Sequence, residues 1–254
     1  MLSSPEGSIT WVILLQLRKD CSPISFKVLG RLTGHLPRTG ELTPDNVAAA
    51  LGKESSMVYG KAQNVAVRPP QLCQGCGHRD VYGALRQIIE EMPDARVFGD
   101  IGCYTLGALP PFKALSSCVD MGASITMAKG AADAGLRPAI AVIGDSTFTH
   151  SGMTGLLDAI NDNTPITVII SDNLTTGMTG GQDSAGTGRL EQICTGLGVA
   201  PEHVRVVVPL PKNMDEIKQV LREEINYAGT SVVIARRECI QTLKRHLKQK
   251  TVKD

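Results

Sequence analysis

The sequence predicts an α/β protein built on a doubly wound parallel sheet, with a small irregular N-terminal segment ahead of it. Three observations carry this expectation. Residues 139–143 (Ala-Ile-Ala-Val-Ile) and 166–170 (Ile-Thr-Val-Ile-Ile) are near-continuous apolar runs, as strands buried on both faces require. From residue 71 onward, strand-like and helix-like segments alternate, the order that winds a parallel sheet with helices on either side. Aromatic residues make up only 4% of the chain while glycines number 26, a balance that suits tight turns and backbone-lined loops.

Residues 1–70 read as an irregular segment and linker, punctuated by Gly34, Pro37, Gly40, Gly52, Gly60, Pro69 and Pro70. Residues 1–25 carry little pattern. One short helix is expected there, with Thr43 as N-cap, Pro44 at the first helical position and Gly52 as its stop. Residues 71–242 read as one domain. A helix over 79–91 places Val81, Leu85, Ile88 and Ile89 on one face. A short strand over 95–98 follows, then a helix of small residues over 123–134 that permits close approach to a sheet. Between the two apolar strands lies a helix over 153–160. Further strands are expected over 204–208 and 231–235, separated by a helix over 214–227. Residues 243–254 read as a basic, solvated tail rich in Lys and Arg.

Charge and composition exclude several classes. Lys and Arg total 26 against 25 Asp and Glu, which leaves no net field to attract nucleic acid or an acidic membrane. The longest early apolar run, 11–15, falls far short of the ~20 residues of a membrane span and lacks signal-peptide flanks. A cytoplasmic location is expected, with no membrane partner. In such a reducing compartment the seven cysteines are thiols or metal ligands rather than disulfides.

The first motif is Gly144-Asp145-Ser146, just after a buried strand. One helix and one further strand later comes Asn173. Adjacent parallel strands bring Asp145 and Asn173 to the same carboxyl edge, where open α/β sheets bind ligands. A carboxylate and a side-chain amide there are hard oxygen donors suited to magnesium carrying a diphosphate. Gly144 is expected to let the backbone approach the phosphates, and a helix starting near Ser151-Gly152 to offer free amides. The second motif is Cys73-Gln74-Gly75-Cys76-Gly77-His78. Alone, Cys-x-x-Cys leaves zinc, an iron–sulfur cluster and a redox dithiol open. Cys103 follows the 95–98 strand and Cys239 follows the last one, so three loops can deliver four thiolates to one point. Cys194 falls on a helical core position, and Cys21 and Cys118 read as ordinary thiols.

The spacing of Asp145 and Asn173 resembles the thiamine diphosphate motif. With Gly-Asp-Ile-Gly-Cys-Tyr-Thr-Leu-Gly (99–107), Gly-Asp-Ser-Thr-Phe-Thr-His-Ser-Gly (144–152) and Thr-Gly-Met-Thr-Gly-Gly-Gln (176–182), residues 28–242 resemble the 2-oxoacid:ferredoxin oxidoreductases. Within that family they are similar to the large subunit of the indolepyruvate type, here expected to be shortened at both ends. The resemblance implies a thiamine diphosphate-binding domain with Gly144, Asp145, Ser146, Asn173, Thr175, Gly177, Met178 and Thr179 at the cofactor. It implies magnesium on Asp145, Asn173 and the Thr175 carbonyl, and a [4Fe–4S] cluster on Cys73, Cys76, Cys103 and Cys239, with Cys194 as a rival fourth ligand. His78 and His150 are candidate catalytic groups, each weighed against a purely structural histidine.

The implied reaction is oxidative decarboxylation of aryl 2-oxoacids to acyl-coenzyme A, with ferredoxin as electron acceptor. The implied partners are a chain supplying the pyrimidine-binding domain, a second (beta) subunit, ferredoxin, coenzyme A and the 2-oxoacid. Two rivals stand beside this reading: a non-oxidative thiamine diphosphate-dependent decarboxylase subunit, and an inactive remnant or zinc-binding module.

Overall fold

The computed structural model describes residues 30–40, 42–53, 66 and 69–251. Cys21, Gly60 and the apolar run 11–15 lie outside the described residues. The chain divides into two units, Met1–Arg68 and Pro69–Asp254. In the first, helix α1 (Pro44–Ala50) starts where its capping signals require: the Thr43 hydroxyl accepts from the Asn46 amide at 3.3 Å and Pro44 opens the helix. Gly52, at φ +67°, ends it. None of its residues is buried.

The second unit is organised by a sheet of six parallel strands among the described residues, in the order β2-β1-β3-β4-β6-β5. They are β1 (Arg96–Gly99), β2 (Ser117–Cys118), β3 (Ala139–Gly144), β4 (Ile166–Asp172), β5 (Val204–Val207) and β6 (Ser231–Arg236). β3 and β4 are buried at every position, as their apolar runs demand. Side chains alternate between two cores. Ile140, Val142, Ile169 and Val233 face helices α2 (Gly77–Glu91) and α7 (Met214–Ile225). Ala139, Ala141, Ile143, Val168 and Ile170 face the opposite layer, α3 (Ala123–Asp133), α5 (Met153–Asn161) and α6 (Leu190–Leu197). The sheet is doubly wound.

Three features depart from the sequence expectation, and Cys194 follows it. Helical backbone begins at Asp145, as α4 (Asp145–Thr147), and runs through a π turn, Phe148–Gly152, into α5. The amides freed at a helix start are therefore those next to Asp145 and not those of Ser151-Gly152. β2 is a two-residue edge strand with no periodicity to betray it. Cys194 does lie on a helix, α6, and is fully buried. Finally, the region read as a solvated basic tail is largely helical: α8 (Ile240–Thr251) follows β6 after a three-residue connection.

Candidate functional site

The chain leaves β1 toward one edge of the sheet, through β2, and returns to place β3 and β4 on the other side. That reversal opens a crevice at the carboxyl ends of β1 and β3, the usual ligand site of an open α/β sheet. The cleft there is lined by Ile101–Tyr104 after β1, Met121 after β2, Gly144–Thr147 after β3, and Ser171, Asn173 and 175–179 at the end of β4. His78, from the first turn of α2, closes one side. The register sets Gly144 against Ser171, so Asp145 and Asp172 follow on neighbouring strands.

Asp145 is 2% exposed, and its Oδ2 has no hydrogen-bond partner. The Ser171 hydroxyl in the same wall is also unpartnered. Burial, with the Asp172 carboxylate nearby, pushes the Asp145 carboxyl up to about 6. An orphaned buried acceptor costs roughly 1–3 kcal/mol, so the chain maintains this one at the expense of its own stability. Asn173 is nearly buried, and its Oδ1 accepts from the Thr175 amide at 3.2 Å. Between them Leu174 takes a left-handed conformation, φ +60°, which turns the chain sharply enough to return Thr175 to the cleft.

Behind this edge, the buried Asp172 carboxylate receives Arg236 Nε at 2.6 Å, and the same guanidinium forks onto Glu191 at 2.8 and 2.7 Å. In front of it, the Ser146 and Thr176 hydroxyls bond at 2.7 Å. Gly144 also makes room for a neighbouring ring. A Cβ there would lie 2.6 Å from the ring of Tyr104, which also crowds Gly102. The Tyr104 hydroxyl donates to the buried Asp100 carboxylate, which in turn accepts from the Gly122 and Ser124 amides at 3.2 and 3.3 Å. Asp100 therefore braces the loop that carries Met121.

The thiols gather at the same edge. A Cβ built on Gly177 would lie 3.5 Å from Cys103 Sγ, 3.9 Å from Cys239 Sγ and 3.6 Å from Asn173 Nδ2. Cys76 and Cys103 are half-buried, and burial raises both thiols, Cys76 to about 11, with neighbouring thiols adding to it. Gln241 Nε2 donates to Cys73 Sγ at 3.2 Å, and Ile240 packs on Gly75 in the Cys-x-x-Cys turn. The Cys239 amide donates to the Asn173 carbonyl at 3.0 Å, which ties the last cysteine to the oxygen-rich edge. Among the described residues, no three His, Cys, Asp or Glu side chains converge as a single metal ion requires. Cys194 is in the core, away from this group, and Cys118 is exposed at the end of β2.

His78 is 5% exposed, its ring stacks on Tyr104 at 6.5 Å, and its Nδ1 is 3.4 Å from Cys76 Sγ. Burial pulls its pKa down to about 4, so it is neutral at physiological pH. His150 is exposed and does not line the cleft.

Residues 100–235 match the family described as thiamine pyrophosphate enzyme, C-terminal TPP binding domain. The chain belongs to this thiamine pyrophosphate enzyme family. Its curated relatives include Indolepyruvate oxidoreductase subunit IorA from Archaeoglobus fulgidus, 38% identical over 236 residues that cover 84% of this chain and 37% of that protein. IorA from Pyrococcus abyssi is 34% identical over 240 residues, covering 80% of this chain and 36% of that protein. The chain thus spans a little over a third of the length of these relatives. Among solved structures, the 2-oxoglutarate:ferredoxin oxidoreductase from Magnetococcus marinus shares the fold, with a TM-score of 0.55 at 19% identity over 70% of this chain and 69% of that one.

Within this thiamine pyrophosphate-binding domain, sequence reasoning missed Asp100, Tyr104, Met121, Ser171 and Arg236. Asp100 had a visible signal, since it follows a strand directly, as Asp145 does. Tyr104, Met121 and Ser171 line the cleft and Arg236 holds Asp172 behind it, placements that leave no local pattern.

Proposed function

We propose that this chain is the cofactor-binding part of an oxidoreductase that oxidatively decarboxylates an aryl 2-oxoacid to acyl-coenzyme A, with ferredoxin as acceptor. The observation that carries it is the unpartnered Asp145 Oδ2, buried beside Asn173 in a cleft edged with thiols. Asp145, Asn173 and the Thr175 carbonyl would hold magnesium, whose charge compensates the buried carboxylate and carries the diphosphate. Gly144, Ser146, Gly177, Met178 and Thr179 would surround the cofactor. Cys73, Cys76, Cys103 and Cys239 would hold a [4Fe–4S] cluster. Such a cluster binds each thiolate to a separate iron and does not need them around one point, and its positive irons would stabilise thiolates that burial otherwise disfavours.

When bound, thiamine diphosphate supplies the electron sink for decarboxylation, and the cluster passes the electrons on. The chain's own residues bind and orient. The Ser146–Thr176 bond and the Asp172–Arg236–Glu191 network fix the two strand ends. Neutral His78, which lines the cleft, would serve there as a hydrogen-bonding group, and the proposed catalytic role rests on it and not on His150. The aryl preference and the need for further subunits are supported by the relatives' name, indolepyruvate oxidoreductase subunit; the coenzyme A, beta-subunit and pyrimidine-domain partners are what the resemblance of the motifs implies.

The test is calorimetry of thiamine diphosphate binding to the full chain with and without magnesium, together with iron and sulfide analysis after anaerobic reconstitution. Magnesium-dependent binding that Asp145→Ala abolishes is expected, with iron and sulfide in four-atom stoichiometry. Binding indifferent to magnesium would reject the oxygen site, and zinc in place of iron would reject the cluster.

A further inference from the structure

The segment Thr176–Gln182 forms the outer wall of the cleft through Thr176, Gly177, Met178 and Thr179. It closes on itself. The Thr176 amide donates to the Gln182 carbonyl at 2.8 Å, the Gly181 amide to the Thr176 carbonyl at 3.1 Å, and Gln182 Nε2 to the Thr179 carbonyl at 2.9 Å. Gly180 and Gly181, at φ +127° and +89°, make the turn in a region that other residues rarely enter. Its near end is anchored by the Thr176–Ser146 bond.

Its far end is held by α8. Arg245 Nη1 donates to the Gly180 carbonyl at 2.6 Å, a charge-assisted bond to the tip of the turn. Thr242, 7% exposed, lies against Gly181, where a Cβ would come within 2.9 Å of its methyl group. The helix is itself tethered at its start, through the Cys239 amide to Asn173 and through Ile240 against Gly75. One short helix therefore touches the end of β4, the Cys-x-x-Cys turn and the loop over the cleft.

We propose that α8 is a strap over the cofactor loop, and that Arg245 is the positioning residue that keeps Thr176–Gln182 closed against the cleft. A guanidinium is suited to this, because its fixed planar donors hold direction as well as charge. The loop's own bonds then need supply only its internal shape. The strap itself is independent of what the cleft binds; its effect on affinity rests on the thiamine diphosphate reading above.

The experiment uses the full chain as wild type, Arg245→Met and Arg245→Lys. Hydrogen–deuterium exchange is read at the Thr176 and Gly181 amides and at amides of β3 and β4, and calorimetry measures the Kd for thiamine diphosphate with magnesium. In Arg245→Met the two loop amides should exchange faster, and the Kd should weaken, each by about 3- to 10-fold, the net worth of one hydrogen bond. The sheet amides should not change, and Arg245→Lys should recover part of both effects. Unchanged loop exchange in Arg245→Met, or loosening that spreads to β3 and β4, would overturn the strap. Faster loop exchange in a chain that binds no thiamine diphosphate would leave the strap standing and reject the cofactor reading instead.

Discussion

Asp145 illustrates how a buried carboxyl is held against its own preference. Its carboxyl is shifted up to about 6 by burial, so the folded apo-chain favours the proton more than the unfolded chain does. The associated stability is fully present below the unfolded pKa of about 3.9 and is lost as pH rises through about 6. Asp145→Asn should therefore stabilise the magnesium-free protein at neutral pH by about 1–3 kcal/mol, an advantage that fades in acid. The same variant should weaken magnesium-dependent diphosphate binding by more than the roughly 10–100-fold that losing an outer-shell partner costs. Denaturant titrations of the chelator-treated protein at pH 4 and pH 7.5 check the first expectation, and calorimetry the second. An apo-chain no more stable as Asn at pH 7.5 would contradict the assignment of Asp145 as an uncompensated charge. Arg236 faces the opposite situation. Its partner Asp172 has a side chain with 0% exposure, so Arg236→Met would strand a buried carboxylate. The expected loss is about 3–5 kcal/mol, and adding Asp172→Asn should restore most of it. A double variant as unstable as the single one would show that Arg236 acts through Glu191 alone.

At the scale of elements, the carboxyl ends of two strands, β1 and β6, and the start of helix α2 decide which cysteines meet. Cys239 sits between β6 and α8 with its amide on Asn173, whereas Cys194 is on α6 in the opposite core. Cys239→Ala should lose most of the iron taken up in anaerobic reconstitution, and Cys194→Ala should keep it. Iron content per chain, with the visible spectrum, reads the outcome. Full iron in the Cys239 variant would remove this residue from the proposed ligand set. Cys194→Ala should still cost stability, on the order of 1 kcal/mol, because it empties part of a packed core.

For the whole molecule, the cleft brings together buried oxygen donors and thiols at the carboxyl edge of one sheet. The relatives it matches are proteins of which it spans 37% and 36%. The resemblance places activation of the cofactor's pyrimidine in another domain, and acid–base help of that kind is worth roughly 10²–10⁴-fold. Residues 1–254 taken by themselves are therefore expected to bind cofactor yet turn over no 2-oxoacid until a pyrimidine-binding domain, in the same polypeptide or another, is supplied. Reduction of a low-potential dye by indolepyruvate, phenylpyruvate or pyruvate with coenzyme A, with and without that domain, measures this. Brisk aryl-pyruvate oxidation by the chain alone would show the active site to be complete. No helix among the described residues is long and apolar enough to cross a membrane.

What the sequence determined by itself was the sheet and its edge. Apolar runs that must be buried on both faces dictate β3 and β4, and the strands then carry Asp145 and Asn173 to one side, because parallel neighbours end together. Capping chemistry likewise made α1 legible from Thr43 and Pro44. Tertiary structure alone decided the rest. The helix starts at Asp145, directly after Gly144 in extended backbone, and no periodicity marks that turn. Gly144 has no room for a side chain because the Tyr104 ring packs on it from the segment after β1. The basic C-terminal stretch is a helix laid on the cofactor loop, since Thr242 and Arg245 find Gly181 and Gly180 more than sixty residues earlier. Periodicity and caps report what the chain does to itself over a few residues. Contacts between distant loops depend on the assembled sheet, and only the assembled sheet reveals them.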